Sequence, residues 1–419
     1  MEEWKEYRLG DIIKISSGFA YKGEYLGYGD KYLLGMGCVS FNEQFLDKGV
    51  RPYSGECDNR FYAKAGDIVL ATRQQSDNMP ILGMPAVIPY KYKDRKLIVG
   101  ANLYRIINES KDFGNDFIYW LLKDPRYVNY IKSCQSGTTV RMITKANIEN
   151  YTFVCPNKKS RLLISRFLWT LEKKIELNRR INENLEQQAQ ALFKSWFVDF
   201  EPFKGGKFVD SELGMIPEGW KVKKLGELCD SISVTHPCKE GQLIFLNTGD
   251  IENGFVLNHK YMNIKDMPGQ AKKSIQENDI LYSEIRPINR HFAFVNFPAQ
   301  EYIVSTKLMV LRANDNESSI RLYQYLTSED VINELQHEAE SRSGTFPQIR
   351  FENIKNLKIL IGSDDVEKQY TKYIENIYKM IFQYRKEIIR LEQLRDTLLP
   401  RLMSGELKIS DIDSKNLKK

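Results

Sequence analysis

The stretch spanning residues 160–200, SRLLISRFLWTLEKKIELNRRINENLEQQAQALFKSWFVDF, occurs twice in this chain, and no other feature limits its folding as strongly. Laying Leu185-Glu186-Gln187 over Leu391-Glu392-Gln393 sets an offset of 206 residues and brings the two apolar patterns into step. In the first copy one heptad position reads Ile164, Leu171, Asn178, Leu185, Leu192, and its partner position reads Leu168, Ile175, Asn182, Ala189, Trp196. In the second the same positions read Tyr370, Ile377, Tyr384, Leu391, Leu398 and Ile374, Ile381, Ile388, Arg395, Leu402. A 3.5-residue period sustained over this length is a coiled-coil seam.

Each helix should run to roughly 40 residues, or about 60 Å at 1.5 Å per residue, well beyond the usual globular helix. A rod of that kind needs a partner, and the nearest equal partner is the other copy. The two are expected to pair antiparallel, which brings the globular parts of the chain to opposite ends. Asn178 and Asn182 fall at mid-seam, where a buried amide fixes register at some cost in stability; a local break with both facing solvent fits the sequence equally well.

With 419 residues and 42% hydrophobic composition, the chain has material for two cores besides the rods. It has no run approaching 18 apolar residues and no apolar N-terminal segment, so a soluble, cytoplasmic protein with no membrane partner is expected. Cys38, Cys57, Cys134, Cys155, Cys229 and Cys238 show no CxxC spacing, and there are four histidines. This favours reduced structural thiols over a zinc site. A net charge of +6 permits nucleic-acid binding without demanding it.

The repeat extends beyond the rods. Trp4-Lys5-Glu6-Tyr7-Arg8-Leu9-Gly10-Asp11 opens the first half and Trp220-Lys221-Val222-Lys223-Lys224-Leu225-Gly226-Glu227 the second. Short β-rich runs come next in each half, among them Asp67-Ile68-Val69-Leu70 and Asp279-Ile280-Leu281-Tyr282. Ser136-Gly137-Thr138 leading to Ile143 and Asn147-Ile148 matches Ser343-Gly344-Thr345 leading to Ile349 and Asn353-Ile354. Asp364 and Glu367 suit a capping box at the start of the second rod. Pro400 should end or kink that rod near Leu399, and Gly405 should stop any helix beyond it. The expected fold is α+β: two similar recognition domains, 1–157 and 220–361, separated by two long antiparallel coiled-coil helices, 158–200 and 362–405, as an internal pseudo-twofold repeat. Residues 201–219 form a linker and 406–419 a C-terminal tail.

Catalytic constellations are missing from the sequence. Gly205-Gly206-Lys207 runs into Phe208 and makes no phosphate loop, and neither a GxSxG elbow nor an HExxH helix occurs. No adjacent prolines supply an Asn-Pro-Pro-aromatic methyltransferase motif. No metal site is expected: His236-Pro237-Cys238 reads as a turn, and Glu172-Lys173-Lys174 as a solvated rod face. What remains is two diverged modules at a set separation, a geometry that suits reading two different half-sites on DNA.

Features common to both halves should build the fold or touch phosphate, and base-reading side chains should lie where the halves differ. Arg73, Gln74 and Gln75 form the leading cluster of the first half, and Arg286, Asn289 and Arg290 occupy the corresponding place in the second. Arg141, Gln348 and Arg350 come after the shared motif, whose Thr138 and Thr345 are candidates for phosphate, and Lys22 joins them beside Tyr21 and Tyr25. The plain alternative for each is an ordinary surface side chain. For the whole chain there are two alternatives: a coiled-coil scaffold that reads no DNA, or an enzyme with an unfamiliar site.

Ala191-Leu192-Phe193-Lys194-Ser195-Trp196-Phe197-Val198-Asp199-Phe200, Gly214-Met215-Ile216-Pro217-Glu218-Gly219-Trp220 and the segment from Leu394 to Gly405, LRDTLLPRLMSG, resemble hallmark segments of type I restriction-modification specificity subunits. The resemblance covers almost the whole chain. It implies a non-catalytic subunit whose two target recognition domains each read half of a bipartite, asymmetric site on double-stranded DNA. It also implies that the paired helices dock two methyltransferase subunits, and that restriction subunits join the complex. Cofactors would then be absent from this chain, with S-adenosylmethionine, ATP and Mg on the partners. Phe167, Trp169, Phe193 and Phe197, taken as exposed beyond the seam, are the candidate docking residues.

Overall fold

A computed structural model describes residues 4–74, 81–137, 140–314, 318–342 and 347–410. The chain forms two compact units, one of residues 1–177 with 388–419, the other of residues 178–387. Each unit therefore holds one globular lobe together with about half of either long helix, Lys158–Phe197 and Asp364–Ser404. Among the described residues, no helix is long and apolar enough to cross a membrane.

In the first unit one antiparallel sheet orders its strands Ile13–Ser17, Leu103–Asn108, Ile68–Ala71, Pro85–Val87. A second orders Val50–Tyr53, Leu26–Leu34, Lys96–Val99, Tyr62–Ala63, with its middle pair parallel. The strand Ile68–Ala71 is apolar throughout because both its faces are covered. Ile68 and Leu70 point into one core and Val69 and Ala71 into another, as the two-residue alternation of a strand requires.

The second unit repeats the design. Cys229–Ile232, Leu308–Ala313, Ile280–Ser283 and Phe292–Phe294 form one sheet, and Tyr261–Asn263, Gln242–Leu246, Tyr302–Ser305 and Ala271–Ser274 the other, again with a parallel middle pair. Ile280 and Tyr282 face one core while Leu281 faces the other. The chain start closes each lobe in the same way, Lys5–Arg8 pairing with Thr152–Cys155 and Lys221–Lys224 with Lys358–Ile361. An ion pair to a buried aspartate recurs as well. Arg105 Nε lies 2.9 Å from Asp67, and Arg312 binds both oxygens of Asp279 at 2.8 and 2.9 Å.

Within each unit the long helices run antiparallel. In the first, Ile164 and Leu168 share a core with Leu399, Leu402 and Met403, and Arg395 Nη1 donates to Glu172 Oε2 at 2.6 Å, so Glu172 is buried between the helices and not on the solvated face expected of it. In the second, Asn178 donates to Glu387 at 2.9 Å and Arg385 to Glu186 at 2.6 Å, while Trp196 and Phe197 pack on Tyr370. Of the two readings of the seam asparagines, burial holds: Asn178 is 0% and Asn182 4% exposed.

Local features at the helix ends and between the halves refine the expectations. The second helix runs through Pro400 to Ser404. The proline sits in its last turn, where burial of Leu399, Leu402 and Met403 holds the backbone. Gly405, with φ +79°, then ends it. Glu367 does reach back, but its carboxylate accepts the N–H of Gly362, not that of Asp364. The stretch between the halves carries a hairpin, Phe208–Ser211 with Gly214–Pro217, and Trp220 packs on Phe197, Phe200 and Phe203. Beyond the second helix, Ile409 enters the core of the first unit.

Candidate nucleic-acid interface

The site in the first unit grows from the buried strand Ile68–Ala71. One residue on, the Thr72 carbonyl accepts the N–H of Ile143 at 3.2 Å. The chain then forms a short antiparallel ladder in which Gln74 faces Arg141 and Arg73 faces Met142. Ser136 and Met142 exchange backbone hydrogen bonds at 3.0 and 2.8 Å, which folds the shared Ser-Gly segment back onto this ladder. Gly137 is required there, because its φ is +93° and a Cβ would fall 2.3 Å from the Val140 carbonyl oxygen.

The described residues of the second unit repeat part of this frame. Ile349 donates to the Glu284 carbonyl at 2.8 Å, matching Ile143 and Thr72, and Ile285 bridges Gln348. Arg286 donates its backbone N–H to Pro347 at 3.2 Å. Arg73 and Arg141 are thus brought together in one unit, and Arg286 and Gln348 in the other.

The shared residues hold these frames. The side-chain oxygen of Asn147 accepts the N–H of Thr144, and that of Asn353 the N–H of Arg350, both at 2.8 Å, each opening a short helix. Ile148 and Ile354 are fully buried.

The candidate side chains differ in what they can do. Arg73 is exposed, and its guanidinium opposes the upward shift that burial gives the Tyr104 phenol. Arg141 is half-buried, with Nη1 3.5 Å from Gln135 Oε1. Gln74 departs from expectation: it is 7% exposed, and its carboxamide oxygen accepts the N–H of Leu82, satisfying backbone. Arg286 and Asn289 are exposed on a turn where both Arg286 and Arg290 have positive φ. Arg290 is engaged within the chain, its Nη2 meeting both oxygens of Glu329 at 2.5 and 2.7 Å, so it shapes the loop. Gln348 is half-buried, and Arg350 is exposed. Lys22 is exposed in a different loop, 3.8 Å from Glu24. Gln75, Thr138 and Thr345 lie outside the described residues.

Beside Arg141 opens a cleft of about 600 Å³, lined among others by Phe41, Gln74, Asn129, Lys132, Gln135 and Arg141. Sequence reasoning missed Asn129, Lys132 and Gln135. Their signal was present in the helix Pro125–Ser133, where Tyr127 and Ile131 are buried while Asn129 and Lys132, three residues apart, share the outer face.

The aromatic residues expected to be exposed on the rods are not. Phe197 is 6% exposed, edge-on to Tyr370 at 4.7 Å and under the Arg321 guanidinium at 3.9 Å. Phe193 packs on Phe197. Trp169 stacks on Tyr119 at 5.0 Å, and Phe167 packs against the same core. Phe167 and Trp169 join the first half of this helix to the lobe of the first unit, and Phe193 and Phe197 join its second half to the lobe of the second. The exposed apolar side chains of the helices are instead Leu162, Leu177, Tyr373, Met380 and Leu394, with Val198 just beyond the first helix.

The model of the type I restriction modification DNA specificity domain matches residues 1–187 and 217–393, one copy per half. The chain is 23% identical to the type I restriction enzyme MjaIX specificity subunit of Methanocaldococcus jannaschii, over 98% of this chain and 95% of that one. It is 40% identical to the HindI specificity subunit of Haemophilus influenzae over 152 residues, 36% of this chain and 33% of the relative. The crystal structure of a type I restriction-modification S subunit from M. genitalium superposes with a TM-score of 0.57 at 15% identity, covering 96% of each chain, and so shares the fold. With a family match in each half and two lobes of one design, the chain belongs to the type I restriction-modification DNA specificity subunits.

Proposed function

We propose that each unit reads one half of a two-part, asymmetric sequence on double-stranded DNA, as the non-catalytic specificity subunit of a type I complex. One observation carries the reading. The two units share part of a backbone frame, anchored by Ile143 and Asn147 in one and by Ile349 and Asn353 in the other, and mount different side chains on it, Arg73 and Arg141 in one and Arg286 and Gln348 in the other. A frame held in common cannot distinguish two half-sites, whereas arginines and amides on its rim suit guanine and adenine edges. Asn289 and Arg350 extend the second rim, and Lys22 is a phosphate contact. A family of DNA specificity domains favours this reading over a scaffold that touches no bases.

Leu162, Leu177 and Leu394 on the helix halves of the first unit, with Val198, Tyr373 and Met380 in the second, are exposed apolar residues among the described ones and supply docking sites for two methyltransferase subunits. The methyl donor S-adenosylmethionine and the ATP and Mg of restriction subunits belong to those partners. This chain contributes positioning on DNA.

The test is selection from a randomised duplex library by the chain bound to its methyltransferase subunits. Two constant blocks separated by unselected bases support the proposal; a single block, or none, overturns it.

A further inference from the structure

A duplex groove is read by an element that protrudes into it, whereas a concave cleft receives what protrudes from the nucleic acid. The cleft of about 600 Å³ in the first unit is of the second kind, and its lining is chemically selective. The Phe41 ring at its wall is 48% exposed, and Lys123 donates to the Ser40 carbonyl beside it at 3.3 Å, holding that loop. Asn129 and Lys132 project from the outer face of the helix Pro125–Ser133, and Gln135 lies opposite Arg141. Among the described lining residues are three cations and three carboxamides, and no carboxylate. An aromatic face, amides able to pair with a base edge, and cations for a phosphate are what a single nucleotide needs once it leaves the stack.

At the corresponding helix of the second unit the described residues are arranged differently. There Glu329–Arg342 begins with two acidic residues, Glu329 holds Arg290, and Gln336 accepts the N–H of Ile288 at 3.1 Å, so the face is spent on the chain's own loop.

We propose that the cleft of the first unit binds an unstacked nucleotide, its base against Phe41 and the amides of Asn129 and Gln135, its phosphate toward Lys132. The inference rests on the reading of DNA proposed above, in that the nucleotide is one extruded from the bound duplex.

The experiment titrates the full chain with dAMP, dCMP, dGMP and dTMP, and separately with inorganic phosphate, monitoring saturation transfer to the base protons. The expected result is transfer to at least one nucleotide, no displacement by equal phosphate, and at least about fivefold weaker binding for Phe41→Ala, the loss of one base–aromatic stack. Asn129→Ala, also an exposed position, should change which base is preferred. Binding unchanged by Phe41→Ala, equal displacement by phosphate, or no nucleotide binding overturns the proposal.

A second arm places 2-aminopurine at successive positions of the selected site. A rise in fluorescence at one position of the block read by the first unit supports extrusion, and no rise anywhere contradicts it. Two-block selection without nucleotide binding removes this inference alone; nucleotide binding without selection removes the reading of DNA and leaves the cleft a nucleotide site.

Discussion

Arg395 donates to Glu172 at 2.6 Å across the helix pair of the first unit, with both side chains almost sealed from solvent at 8% and 4% exposure. Arg395 holds its proton more tightly than an ordinary arginine: burial opposes the charge, but Asp396 and Glu172 outweigh it. A buried pair is costly to break because the surviving charge is stranded. Arg395→Ala is therefore expected to lower unfolding stability by about 3–5 kcal/mol, and the double change Glu172→Leu with Arg395→Met to recover most of that. Denaturant unfolding of the three proteins checks it; a single variant as stable as the parent contradicts it.

Asn182 in the second unit presents the opposite case. It is 4% exposed, and neither side-chain polar atom finds a hydrogen-bond partner among the described residues. Desolvation without compensation makes such an amide a liability. Asn182→Leu should raise stability by about 1 kcal/mol, read as a shift of the denaturation midpoint. Loss of stability would mean that the amide is satisfied in solution.

Burial pushes the thiols of Cys38 and Cys229 from 9.0 up to about 12. Cys238 lies exposed on the surface. At pH 8 iodoacetamide should label Cys238 rapidly and leave Cys38 and Cys229 unmodified in the native chain, as peptide mapping would show. Folding favours the protonated form of the two buried thiols. Their contribution to stability is thus complete below pH 9 and is lost as the pH rises through about 12. Early labelling of Cys38 would contradict this burial.

Much of the fold was legible because its signals are periodic. The heptads reported the paired helices, and the apolar run beginning at Ile68 reported a strand, to which the structure adds that both faces are covered. Period shows that a residue is apolar without showing which surface covers it. Phe197 and Trp169 therefore looked exposed, although Arg321, Trp220 and Tyr370 cover the first and Tyr119 and Trp120 the second.

At the site, residue type singled out the segments around Arg73 and Arg286. Type alone gave no hint that Gln74 satisfies the backbone of Leu82 or that Arg290 is bound to Glu329, since both depend on neighbours distant in the chain. The cleft joins Phe41, Asn129 and Arg141 from three separate stretches, so no window of sequence contains it.

The most direct measurement repeats the library selection with Arg73→Ala and, separately, Arg286→Ala, both exposed positions. Each change should relax the sequence of one block only, a different block for each variant, with discrimination at the affected base falling by about 1–3 kcal/mol. Relaxation of both blocks by either variant, or an unchanged site from both, would contradict the account.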